Sequence, residues 1–196
     1  MTYKDISILK FQQIHNAIKI SEGDEIRETY NVLSVMTGVS PEVYKAMKIT
    51  DFQKECKVLS WMETAELPDK FVKEFEVKGE IFEIVQHATE WSTEQFVSMS
   101  NLTKDPNEII NNLHLIMATL TKGCDSIAEH DRRAKLLQEN LSIEVAYPTG
   151  FFFAQFLAKL SETSQYSLHI KRKMNQVKQQ QKKKTGFQKN GIGIIQ

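Results

Sequence analysis

The chain has 196 residues, 41% of them hydrophobic and 26% charged, with equal numbers of basic and acidic side chains. That length supports one core or two small ones, and no uninterrupted apolar run approaches the roughly 20 residues that span a bilayer. The zero net charge conceals an asymmetry. After Glu162 come Lys171, Arg172, Lys173, Lys178, Lys182, Lys183, Lys184 and Lys189 with no acid among them. Subtracting these eight from the 25 basic residues leaves residues 1–162 with 17 against 25 acids, a net of −8. Nucleic acid, an acidic protein surface or a neighbouring copy would each suit such a tail. The stretch MTYKDISILK lacks the apolar run of a signal peptide. Cys56 and Cys124 lie far apart, without CxxC or metal spacing, which predicts half-buried thiols in a reducing compartment.

The first helix is predicted to start at Ser7, a capping hydroxyl, with Leu9 or Phe11, Ile14 and Ile18 at helical spacing. A second spans about Asp24 to Thr37 with Ile26, Tyr30, Leu33 and Met36 near one face, and Gly38 stops it. Ser40-Pro41 restarts a short helix. Thr50 with Gln53 reads as a capping box for the next, with Phe52, Cys56, Leu59 and Met62 following at helical steps. Leu33, Met36, Phe52 and Leu59 are expected to share a small core.

After Pro68 the period changes. FVKEFEV and EIFEIV flank Lys78-Gly79, predicting a hairpin near 71–85. Phe71, Lys73, Phe75 and Val77 share a face of the first strand, and Ile81 points away from Phe82 and Ile84. A lone hairpin is marginal in water and needs a helical layer over it. Helices resume at Ser92, boxed by Gln95, and at Asp105-Pro106-Asn107-Glu108, whose helix buries Ile109, Leu113, Ile116 and Leu120. Another covers about 125–140, with Ile127, Ala134, Leu137 and Leu141 inward. Pro148 then interrupts, and Thr149 caps a last helix anchored by Phe153, Phe156, Leu157 and Leu160. Beyond about Leu168 that helix is expected to project, and its lysine- and glutamine-rich end is of low complexity.

No residues stand at the spacing of a metal site, a phosphate loop or a dinucleotide site. Cys124 and His130, six apart, would suit an imidazole-activated thiol, but Glu129-His130-Asp131-Arg132-Arg133 reads more simply as a solvated helix face. Phe151-Phe152-Phe153 cannot share one buried stripe, so either the helix start packs on the hairpin or an exposed ring anchors a partner. The tail's one aromatic after Tyr166 is Phe187, too few for stacking nucleic-acid bases, so specific nucleic-acid recognition is not expected.

In order, SILKFQQIHNAI, NVLSVMTGVSPEVYKAM and ITDFQKECKVLSWM, then EVKGEIFEI, STEQFVSMSNL, NNLHLIMATL and AYPTGFFFAQFL, resemble tail assembly chaperone-like proteins of tailed bacteriophages over most of residues 5–160. The tail from Lys171 onward has no counterpart in that pattern. The resemblance implies a non-enzymatic morphogenesis protein without cofactor or metal. It would bind other phage proteins, whether tape-measure, tail or portal-proximal, in the host cytoplasm and not at a membrane, and would form homo-oligomers. It also implies a longer product made by frameshifting, for which the codons of Lys182, Lys183 and Lys184 would be the slippery run. The alternative is a permanent virion component of a head–tail connector or ring, its basic tail contacting neighbouring subunits. The expectation is therefore a mainly helical α+β domain over 1–168 and a basic tail over 169–196. Phe151, Phe152, Lys171, Arg172, Lys173, Lys182, Lys183 and Lys184 are the candidate partner-binding residues.

Overall fold

In a computed structural model of the chain, the described residues are 2–64, 66, 71–87, 90–124 and 126–159. Their helices are α1 (Ile8–Lys19), α2 (Glu25–Thr37), α3 (Pro41–Ala46), α4 (Ile49–Glu55), α5 (Trp61–Thr64), α6 (Thr93–Leu102), α7 (Ile109–Leu120), α8 (Ile127–Asn140) and α9, over 143–159. Strands β1 (Glu74–Val77) and β2 (Glu80–Glu83) form one antiparallel pair, so the fold is α+β and mainly helical. Residues up to Ala154 form one compact unit. The expected boundary near residue 168, the projecting helix end and the basic tail all lie outside the described residues, as does Leu160. Among the described residues no helix is long and apolar enough to cross a membrane.

Local chemistry sets most helix starts. Ser7 Oγ accepts from the Lys10 N–H at 3.2 Å, Asp24 Oδ1 from Ile26 and Arg27, and Ser40 Oγ from Glu42. Each satisfies a donor that the first helical turn leaves open. Gly38 ends α2 with φ of 78°, the left-handed conformation expected there. Ser92 and Gln95 form a reciprocal box, at 3.1 and 3.0 Å, that opens α6. Asp105 caps a short 3₁₀ turn, Pro106–Glu108, that runs into α7. The predicted box at Thr50 is corrected. α4 begins at Ile49 after Lys48, with no side-chain cap, and Thr50 lies within the helix.

Several predicted faces are also rotated. In α1 the buried residues are Ile8, Gln12, Ile14 and Ala17, whereas Leu9 and Ile18 are exposed. Gln12 occupies an inward position because its amide is fully engaged. Its Nε2 donates to the carbonyls of Ile110 (3.0 Å) and Asn111 (2.8 Å), and its Oε1 accepts from Gln138 Nε2 at 2.8 Å. One buried amide therefore ties α1 to α7 and α8, at no cost of an unmade hydrogen bond. Ile26 and Ile127, predicted inward, are exposed, while Leu33, Ala134, Leu137 and Leu141 are buried as expected.

One apolar cluster forms between α1 and α2. Around Ile14, Ala17 and Val32 pack Val35, Met36, Leu59 and Met62, so the helix-turn cluster closes against α1. Phe52 instead meets the buried Tyr44 edge-on at 6.4 Å, and the Tyr44 hydroxyl lies 2.6 Å from Thr37 Oγ1. Leu113, Ile116, Met117 and Leu120 of α7 are buried, as are Leu137 of α8, which packs on α7, and Phe75, Val77 and Phe82 of the hairpin. All four predicted inward residues of α7 are buried.

The hairpin falls where the sequence predicts it, around a two-residue turn in which Lys78 and Gly79 have φ of 54° and 82°. Two positive φ angles make the type I′ geometry that matches the twist of the flanking strands. Phe75 stacks on its cross-strand partner Phe82 at 5.5 Å on the buried face, while Ile81 points outward, 69% exposed. β2 continues into a bridge between Ile84 and Thr121, with the Val85 N–H donating to the Leu120 carbonyl at 2.8 Å. The hairpin is thus fastened to the end of α7, while α8 packs on β1 and gives the pair of strands a helical neighbour.

The last helix does not start at Thr149. It begins at residue 143 and runs through Pro148 without a break. The Val145 and Ala146 N–H groups donate to the Ser142 carbonyl, and the Ile143 N–H donates to the Ile6 carbonyl at 2.8 Å. Contact with residues 6–8 seeds the helix upstream of proline, and the Thr149 hydroxyl donates back to the Val145 carbonyl at 2.7 Å. Tertiary pairing here overrides the local signal of proline.

Candidate protein-binding surface

Three consecutive phenylalanines on a helix advance by about 100° each, so they must face three directions. Phe153 is buried, 1% exposed, against Trp91 at 5.8 Å and Phe71 at 5.7 Å. Phe152 is 43% exposed, stacked on Phe71 at 4.4 Å and meeting Phe153 edge-on at 5.1 Å. Phe151 turns the other way, half-buried, and stacks on Tyr147 at 4.2 Å, which in turn contacts Phe11 of α1 at 6.1 Å. The triplet divides between a buried ring and an exposed one. Phe153 packs inward behind the segment that leads into the hairpin, and Phe152 faces solvent.

The exposed ring belongs to a row. From α6 the order is Phe96, Trp91, Phe153, Phe71 and Phe152, each ring touching the next at centroid separations from 4.4 to 6.3 Å. Its two ends, Phe96 and Phe152, are each 43% exposed, and Trp91 and Phe71 are half-buried. The Ser92–Gln95 box fixes the entry of α6 between Trp91 and Phe96, and the Gln95 Nε2 reaches the Thr119 carbonyl of α7 at 3.2 Å. Exposed aromatics held by other aromatics lose little side-chain entropy on contact with a partner. Trp91 and Phe96 were not among the sequence candidates, although aromatics on either side of a capping box are a readable sign of a docked helix start. The other candidates, Lys171, Arg172, Lys173, Lys182, Lys183 and Lys184, lie outside the described residues.

The charged run on α8 is structural bracing. Arg132 donates to both carboxylate oxygens of Glu80 on β2, at 3.0 and 2.6 Å, and to Glu129 at 2.8 Å. Arg133 reaches Glu129, Thr121 Oγ1 and the carbonyls of Lys122 and Gly123, and its guanidinium lies over the Phe82 ring at 5.6 Å. Hydrogen bonds from Arg132 and Arg133 push the Glu129 carboxyl down to about 2. Cys124 and His130 line the same cleft, where His130 Nε2 lies 3.0 Å from Thr119 Oγ1. Burial pushes the Cys56 thiol up. Among the described residues no three His, Cys, Asp or Glu side chains stand close enough to hold a metal ion.

No protein-family model, curated protein or solved structure matches this chain.

Proposed function

We propose that this chain is a non-enzymatic bacteriophage morphogenesis protein that works by binding other phage proteins, as a tail assembly chaperone-like factor in the host cytoplasm. Its resemblance to that family over residues 5–160 motivates the reading. The observation that carries it is the Phe152 ring, exposed yet stacked on Phe71 and backed by the buried Phe153. A preorganised aromatic of this kind is the usual anchor of a protein interface, where Trp, Tyr and other large side chains supply most of the binding energy. Tape-measure and tail subunits are the partners this role requires, and homo-oligomers the form in which many weak contacts add up.

The test is capture of phage proteins by full-length chain from infected cells, comparing wild type with Phe152→Ser. Loss of an interface anchor lowers capture about tenfold or more, while the lost stacking on Phe71 lowers the thermal transition without abolishing its cooperativity. Undiminished capture by a folded Phe152→Ser chain overturns the assigned surface. Mass spectrometry of purified particles tests the transient role. The protein should be absent from them, and stoichiometric full-length chain would replace the chaperone with a head–tail connector or ring component.

A further inference from the structure

A cleft of about 800 Å³ opens between α6, the C-terminal half of α7 and the start of α8. That volume lies in the range of about 300–1,000 Å³ common to ligand pockets. Val85, Leu102 and Leu115 give it an apolar floor, and Ser98 and Asn101 give it a polar wall. The His130 ring in its lining lies 3.0 Å from Thr119 Oγ1, and the lysine there is already engaged, Lys122 Nζ with Glu83 at 3.1 Å. Its carboxylates are not. Glu90 and Glu94, both exposed, have no ion-pair or hydrogen-bond partner for their side chains among the described residues. Glu94 stands in the first turn of α6, where the helix dipole favours an acid, but Glu90 precedes the helix and has no such role.

Apolar floor beside unpaired carboxylates suits lysine, whose aliphatic stem lies on hydrocarbon while its ammonium reaches an acid. The neighbouring amide and hydroxyl groups suit glutamine. The chain itself carries a segment of this composition, QVKQQQKKK over 176–184, with no acid after Glu162. We propose that this cleft receives the lysine- and glutamine-rich C-terminal segment of a second copy of the chain, with lysines paired to Glu90 and Glu94. Single exposed ion pairs are weak, so the contact gains strength only when copies repeat it. The inference rests on the self-assembling, protein-binding reading given above.

Disulfide trapping in full-length chains tests it. One tagged chain carries Lys183→Cys with Cys56→Ser and Cys124→Ser; a differently tagged chain carries Cys56→Ser and keeps Cys124, which lines the cleft. A second pairing uses Asn101→Cys with Cys124→Ser on the wall formed by α6, in case either placement disturbs folding. Mild oxidation is expected to yield a cross-linked heterodimer. Glu90→Gln with Glu94→Gln should lower its yield about fivefold, the loss of two exposed ion pairs. High salt should lower it as well. No cross-link in either pairing overturns the proposal, as does an undiminished yield in the double glutamine variant. A single chain carrying both Lys183→Cys and Cys124 that links only to itself overturns the second-copy assignment. Light scattering of the wild-type chain separates the two levels: oligomers without a cross-link reject the cleft alone, and monomers that also capture no phage protein reject the functional reading.

Discussion

Gly150 of α9 lies so close to Leu113 of α7 that a Cβ added there would sit 2.4 Å from Leu113 Cδ1. Leu113 is wholly buried, so its methyl has little room to turn aside. Gly150→Ala gains up to about 1 kcal/mol of helix propensity and meets an overpacking cost of about 1–3 kcal/mol. The expected outcome is a net loss of about 1 kcal/mol by urea unfolding. Gly150→Val should lose clearly more, and adding Leu113→Ala to Gly150→Ala should give less than the sum of the two separate losses.

Gln12 joins three helices through one side chain. Gln12→Ala removes its bonds to the Ile110 and Asn111 carbonyls and to Gln138, and should cost about 1–3 kcal/mol. Gln138→Ala, which removes only one of those links from a half-buried position, should cost less. Equal losses in the two variants would show that the contacts with α7 carry nothing.

The turn of the hairpin offers the opposite sign. Lys78 holds φ of 54°, a conformation that costs an ordinary L-residue about 1–2 kcal/mol and that asparagine tolerates better. Lys78→Asn should therefore raise stability by roughly 0.5–1 kcal/mol on these scales. Gly79→Ala, at φ of 82°, should lower it by about 1–2 kcal/mol even though open space surrounds the new methyl.

Stability should decline with acid in two separate windows. Burial holds the His114 imidazole below its ordinary value of 6.5, so the unfolded chain takes up that proton first and stability falls as pH drops below 6.5. Glu129 is pushed from 4.5 to about 2 by the two arginines, and Glu80 is also lowered by Arg132. Their contribution is present above pH 4.5 and lost as pH falls towards 2. In unfolding midpoints measured across pH, His114→Asn should flatten the upper limb and Glu129→Gln the lower one. A lower limb of unchanged slope in Glu129→Gln would show that the ion pairs of Glu129 with Arg132 and Arg133 do not contribute to stability.

The helix starts at Ser7, Asp24, Ser40, Ser92 and Asp105 were legible because a cap is a local bond, made between residues two or three apart. The hairpin was legible for a similar reason, its turn and its alternation lying within a dozen residues. What periodicity could not show is how far a neighbouring element extends. Ile26 and Ile127 occupy the first turns of α2 and α8, where each helix begins with its apolar side chain in solvent. Gln12 was invisible because an amide becomes a core residue only when distant carbonyls and another amide converge on it. Of the binding surface, the sequence exposed the conflict among Phe151, Phe152 and Phe153. Which ring would be left outside depended on Phe71, 81 positions before Phe152, and on Trp91, 62 positions before Phe153.

The bridge between Ser7 and Ser142, with Ile8 bonded to the Leu141 carbonyl and Ile143 to the Ile6 carbonyl, bears on how the molecule is made. These groups lie 135 positions apart, so α1 waits on the ribosome for about 7–27 s at ordinary rates of synthesis before its partner emerges. Until then the Ile8 N–H lacks its Leu141 carbonyl, although Ile14 and Ala17 can already close on Val32 and Met36 of α2. The closing step joins the two ends of the domain across a long loop, which is slow for reasons of entropy alone. The contact that joins residues 6–8 to residues 141–143 is therefore among the last the domain can make during its synthesis.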